Sequence, residues 1–119
     1  TVYAVGGFYV GTSSNKALIS NILRGQYTID GSTSALSAMT GVDFTITSCT
    51  GVADPSSGQK QQVIFAPDSN WGSMGGRVIF NGWPTGSDTC TLRLFNADTT
   101  STSANIASKT FYWVVIQYS

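Results

Sequence analysis

The chain has 119 residues, 41% of them hydrophobic and 10% charged, and its six basic and six acidic side chains balance to a formal net charge of zero. That length holds one domain, residues 1–119, around a single core. No basic stripe is present to engage phosphates, so nucleic acid is not expected as a partner. No apolar run approaches the ~20 residues of a membrane span, so membrane insertion is not expected either.

The residue types narrow the chemistry further. All six acids are Asp, His and Glu are absent, and 16 Ser and 15 Thr make up about a quarter of the chain. Such a surface makes its hydrogen bonds with hydroxyls and backbone rather than with ions. The start at Thr1, without Met or a signal peptide, is read as a mature form or an excised domain.

Short strands punctuated by glycine, proline and Ser/Thr clusters run through the whole chain. Val2 to Val10 is the first, interrupted by Gly6-Gly7 as a bulge or bend. Lys16 to Arg24 has Leu18, Ile19, Ile22 and Leu23 on one helical face, but its length is marginal for a helix. A strand or irregular segment is favoured there, followed by a short strand from Gln26 to Asp30. Ser34 to Met39 is compatible with a single helical turn.

Val42 to Cys49 alternates, with Phe44 and Ile46 on one face and Thr45 and Thr47 on the other. Gln61 to Ala66 stops at Pro67, and Arg77 to Asn81 is a short strand between loops. Thr89 to Asn96 turns Leu92 and Leu94 inward and Thr91, Arg93 and Phe95 outward. Thr110 to Tyr118 closes the set. These patterns fit half-buried antiparallel sheets. The expected fold is an all-β antiparallel sandwich or jelly roll.

The last strand has Phe111, Trp113 and Val115 on one face and Tyr112, Val114, Ile116 and Tyr118 on the other. Both faces are apolar or aromatic, so both require cover. One packs into the core, and the second is left for another copy of the chain. Phe111, Tyr112, Trp113, Val115 and Tyr118 are therefore the expected oligomer contacts, in an obligate homotrimer.

Catalytic chemistry has few carriers. His, the commonest general base, is missing. Of Asp30, Asp43, Asp54, Asp68, Asp88 and Asp98, all but Asp43 lie in or beside turn sequence, where Asp shapes the turn through its own side chain. No enzyme activity, cofactor or metal is expected. Asp68-Ser-Asn70 opens like a calcium loop, but no Glu follows to complete it. Trp71 to Gly76 is glycine-rich yet lacks the Lys-Ser/Thr ending of a phosphate loop.

Cys49 and Cys90 fit either a disulfide closing a loop of about 40 residues or two buried thiols. No Asn-x-Ser/Thr sequon occurs, which argues against a eukaryotic secreted glycoprotein.

The richest constellation is Asp68, Asn70 and Trp71 with Arg77, Asn81 and Trp83, in neighbouring loops around one short strand. Flat aromatic faces suit the apolar side of a sugar ring, and Asn and Asp fix its hydroxyls. Trp83 as a core lid and Trp71 as a subunit contact are the plainer alternatives. Arg24, Arg77 and Arg93 each suit an acidic sugar or an Asp across a subunit interface.

Tyr3 to Val10, Asn21 to Ile29 and Phe111 to Tyr118 together give an aromatic-rich strand, a Gly-x-Tyr-x-Ile strand and an apolar closing strand. In this the chain resembles the C-terminal knob domains of bacteriophage tail fibres, tailspikes and tail needles. H-type-lectin-like and tumour-necrosis-factor-like sandwiches share the pattern. The resemblance implies a trimeric knob at the tip of a virion fibre, extracellular, binding a host-surface glycan or outer-membrane protein without catalysis. A free-standing lectin or carbohydrate-binding module, and a purely structural trimerisation domain, are the competing expectations.

Overall fold

The computed structural model describes residues 8–12, 17–69 and 76–119. Its strands are β1 (Phe8–Val10), β2 (Ala17–Thr28), β3 (Thr40–Ile46), β4 (Lys60–Pro67), β5 (Val78–Gly86), β6 (Thr89–Asn96) and β7 (Thr110–Tyr118). They form two sheets, one ordered β1-β2-β7-β4 and the other β3-β6-β5. Every strand pair is antiparallel. The fold is all-β, as expected.

Period-2 alternation explains which side chains meet between the sheets. Along β7, Phe111, Trp113 and Val115 are buried, while Tyr112 faces out with 47% of its surface exposed. Leu92 and Leu94 on β6 are fully buried opposite them. Aromatic contacts join the two layers: Phe80 of β5 meets Phe111 at 5.2 Å between centroids, and Tyr27 of β2 meets Phe44 of β3 at 5.9 Å. Both pairs are tilted or edge-to-face, the geometries that aromatic quadrupoles favour. Burial also raises the Tyr27 hydroxyl above its ordinary pKa.

Two close approaches depend on glycine. Gly25 of β2 pairs with Trp113, whose indole lies across it; a Cβ at Gly25 would fall 2.9 Å from Nε1 and nearer still to the ring carbons. That indole N–H is buried and has no hydrogen-bond partner among the described residues. Gly82 of β5 receives the Phe65 ring, where a Cβ would overlap ring carbons and lie 2.8 Å from the Thr91 carbonyl oxygen.

Side-chain amides complete the ends of the sandwich. Gln117, 4% exposed, donates to the Gly51 carbonyl at 2.9 Å and to Gln61 at 3.1 Å, and accepts from Asn21 at 2.9 Å. Asn96, fully buried, donates to the carbonyls of Leu36 and Thr102 at 3.0 and 2.9 Å. Its Oδ1 accepts from the N–H groups of Arg77 and Asp98, both at 3.1 Å. All four of its hydrogen-bonding positions are engaged.

The structure departs from the sequence reading in four places, the first being β3, which ends at Ile46 and leaves Cys49 beyond the strand. The ambiguous stretch and the strand after it are one twelve-residue strand, β2, with a register shift between Ile19 and Asn21. Its helical-looking apolar face arises because the bulge changes which residues point inward. Ser34–Met39 is not helical: Leu36 bridges Ala104 through two backbone hydrogen bonds of 2.8 and 2.9 Å. β5 runs on through Gly82, Trp83 and Pro84, which the sequence reading put in a loop. Proline is tolerated there because β5 is an edge strand, and its register slips between Pro84 and Gly86. Of the first expected strand, Phe8–Val10 is seen, and the Gly6-Gly7 bend lies outside the described residues.

Candidate functional site

The extension of β5 places Asn81 and Trp83 on a regular sheet face. Alternation points Ile79, Asn81 and Trp83 away from the core, and β6 and β3 supply the neighbouring columns. The register sets three rows: Ile79–Phe95–Gly41, Asn81–Arg93–Asp43 and Trp83–Thr91–Thr45. One end of this outer face is apolar, the middle row is charged and amidic, and the far end has an indole.

Within the middle row Arg93 and Asp43 are tied together. Arg93 Nε donates to Asp43 Oδ1 at 2.7 Å and its Nη2 donates to Oδ2 at 2.9 Å, a two-point pair with both side chains about half exposed. Planar forks of this kind give geometric specificity as well as attraction. Those hydrogen bonds hold the Asp43 carboxyl below the ordinary carboxylate range and raise the Arg93 guanidinium. The guanidinium carbon also lies 4.9 Å from the Trp83 ring centroid, within cation–π range. The row is therefore oriented and locally neutral.

Asn81 makes no side-chain hydrogen bond among the described residues, so its amide offers both a donor and an acceptor. Shallow depressions flank the row. One of about 200 Å³ is lined by Ile79, Phe80, Asn81, Arg93 and Phe95, and one of about 440 Å³ by Gly41, Val42, Asp43, Arg93 and Phe95. Ile79 is 61% exposed beside them.

The expected site residues separate into three groups. Asn81 and Trp83 share this face. Asp68 and Arg77 stand at strand ends: Asp68 N–H donates to the Thr110 carbonyl at 2.9 Å, and the Arg77 carbonyl accepts from Ala97 at 2.7 Å. The Arg77 charge also contributes to lowering the Asp98 carboxyl, behind the larger effect of hydrogen bonds from Thr100. Asn70 and Trp71 lie outside the described residues.

The sequence reading left Asp43, Phe95 and Ile79 out of the site and Arg93 unassigned. The sequence signal is modest: Asp43 is the one Asp inside a strand, and alternation turns Arg93 and Phe95 away from Leu92 and Leu94. Only the β3–β6 register, which makes Asp43 and Arg93 direct partners, joins them.

The other carboxylates are occupied locally. Asp30, Asp54 and Asp98 accept from the N–H and hydroxyl of Ser32, Ser56 and Thr100, and these bonds lower all three pKa values. Asp68 bonds Ser69, and Asp88 accepts from the Gly51 N–H. Among the described residues no three His, Cys, Asp or Glu side chains group as metal ligands.

The opposite outer face, on β2, β7 and β4, is apolar at its centre. Ile22, Ile64 and Tyr112 are 59%, 50% and 47% exposed, and Val114, Ile116 and Tyr118 are half-buried between them. Of the five expected oligomer contacts, Tyr112 and Tyr118 lie on this face. Phe111, Trp113 and Val115 belong to the chain's own core, which narrows any intersubunit contact to the alternate set.

No family model, curated protein or solved structure matches the chain.

Proposed function

We propose that the chain is a non-enzymatic binding knob of a viral, phage-type adhesion fibre, extracellular at the virion tip, that holds a host-surface glycan on the outer face of β5, β6 and β3. The observation that carries this reading is the Asn81–Arg93–Asp43 row with Trp83 beside it. A sugar ring presents apolar C–H faces and a rim of hydroxyls; this surface offers aromatic area, an unengaged amide and a carboxylate fixed in orientation. Its groups stand on paired strands, which lowers the ordering cost of binding. Because Arg93 is already matched by Asp43, the reading favours a neutral sugar over an acidic one. Asp68 and Arg77, at the strand ends, are proposed as further ligand contacts in this reading.

The test is an immobilised glycan panel probed with the wild-type protein, Trp83→Ala and Asn81→Ala. Loss of the indole is expected to weaken binding by about tenfold or more, on the order of 1.4 kcal/mol. Binding by Trp83→Ala at wild-type strength would remove the platform from the site.

A second part of the reading is assembly as a jelly-roll-like trimer through the outer face of β2, β7 and β4. It is supported by the contiguous apolar centre around Ile22, Ile64 and Tyr112, since monomers rarely leave large patches of this kind uncovered. Light scattering after size exclusion is expected to give three times the chain mass. A single 12.6 kDa species at micromolar concentration refutes it.

A further inference from the structure

Cys49 and Cys90 are both fully excluded from solvent and belong to the same core cluster. Cys90 stands near the start of β6 opposite Ile46, the last residue of β3. Cys49 follows in the turn leaving β3; three hydrogen bonds clamp that turn to the β5–β6 hairpin and a fourth closes the turn itself. Cys49 N–H donates to the Asp88 carbonyl at 3.1 Å, and Asp88 N–H donates to the Val52 carbonyl at 2.8 Å. Val52 N–H donates to the Cys49 carbonyl at 3.1 Å, and Gly51 N–H donates to the Asp88 carboxylate at 2.8 Å.

Inside this clamp both cysteines are free thiols packed in the same core cluster. Hydrogen bonding to Cys90 favours the thiolate at Cys49, while the same contact, burial and the neighbouring charge push the Cys90 thiol up. The register of β3 with β6 and these backbone hydrogen bonds bring both cysteines to one region of the core, as a link between the two segments requires.

We propose that Cys49 and Cys90 form an intramolecular disulfide that staples the β3–β4 connection to the start of β6, made as the chain folds by exchange with a small-molecule disulfide of the glutathione class. The Cys49 thiolate attacks one sulfur of that oxidant, and the departing thiolate takes up a proton. The Cys90 thiol then loses its proton to solvent and attacks the mixed disulfide at Cys49, releasing the second small thiol. Two protein thiols are oxidised to one disulfide, and the small disulfide is reduced to two thiols. Full burial of both sulfurs places the exchange before the core closes.

The test is refolding of the whole chain in mixed reduced and oxidised glutathione, followed by intact mass and non-reduced peptide mapping. The expected result is a mass lower by two hydrogens and a single peptide pair joining residues 49 and 90. Tm should stand about 10 °C above that of a sample treated with dithiothreitol. Two free thiols after this treatment, a stable glutathione adduct in place of the link, or a link between chains overturns the proposal. The wild-type readouts stand whether or not variants fold. As a second arm, the Cys49→Ala, Cys90→Ala double variant should have the same Tm with and without reductant, and a redox dependence equal to that of the wild type overturns the staple.

Discussion

Gly82→Ala is a sharp test of how β5 is held against β4. The substitution adds one methyl group, yet the Cβ would overlap carbons of the Phe65 ring and lie 2.8 Å from the Thr91 carbonyl oxygen. The carbonyl belongs to β6, in the sheet's hydrogen-bonded ladder, so it yields little. Phe65 must move instead, and it is 6% exposed with its ring edge-to-face against Phe111 at 6.2 Å and 86°. Overpacking of a filled core costs about 1–3 kcal/mol, and displacing a buried aromatic from its edge-to-face contact puts this site near the upper end, about 2–3 kcal/mol. For a domain of this size that corresponds to a fall in Tm of roughly 10 °C.

Urea unfolding followed by fluorescence, with the slope held in common, measures the loss directly. The double variant Gly82→Ala, Phe65→Leu makes the argument specific. Removing the ring should recover at least about 1 kcal/mol relative to additivity, because the two sites touch. A Gly82→Ala protein within about 0.5 kcal/mol of wild type refutes the close approach. So does a double variant whose losses simply add.

Asn96→Ala leaves the carbonyls of Leu36 and Thr102 and the N–H groups of Arg77 and Asp98 without their partner, and is expected to cost about 2–4 kcal/mol by thermal unfolding. Acid should destabilise the fold in a defined window. Asp30, Asp43, Asp54 and Asp98 are all lowered in the native state, so their contribution is complete above the unfolded carboxylate pKa of ~4 and is lost as pH falls through the lower folded values. NMR titration of the Asp43 carboxyl should show a depressed midpoint that Arg93→Gln returns towards the ordinary value. Ile64→Lys, on the apolar outer face, should convert the proposed trimer to a 12.6 kDa species without lowering the strand-rich circular dichroism signal. An unchanged oligomer would move the contact off that face.

The strands were largely legible because alternation is a local property. Leu92 and Leu94 against Arg93, and Trp113 and Val115 against Tyr112, follow from period 2 alone. β2 was harder, since a single bulge near Ser20 brings Leu18, Ile19, Ile22 and Leu23 into a spacing that imitates a helix. β5 was cut short at Asn81 because Gly82 and Pro84 are turn residues by composition; both are accommodated by context, one by the Phe65 ring and the other by the free edge. The site was half legible for the same reason. Asn81 and Trp83 stood out as residue types, whereas the Asp43–Arg93 partnership spans fifty positions and exists only through sheet register. Pairing across strands distant in sequence leaves no local trace.

The indole of Trp113, lying across Gly25 with an N–H that meets no acceptor among the described residues, gives the chain an optical signature. An indole excluded from water and free of hydrogen bonding emits at short wavelength, and solvent reaching it shifts the emission to the red. Trp83, half-buried on the outer face under a guanidinium, responds to a different event. Opening of the core reads out at the first fluorophore and occupation of the outer face at the second. With Trp71→Phe as the background, which removes the chain's third indole, and Trp83→Phe as a control, loss of folding and loss of binding can be followed as separate signals in one cuvette.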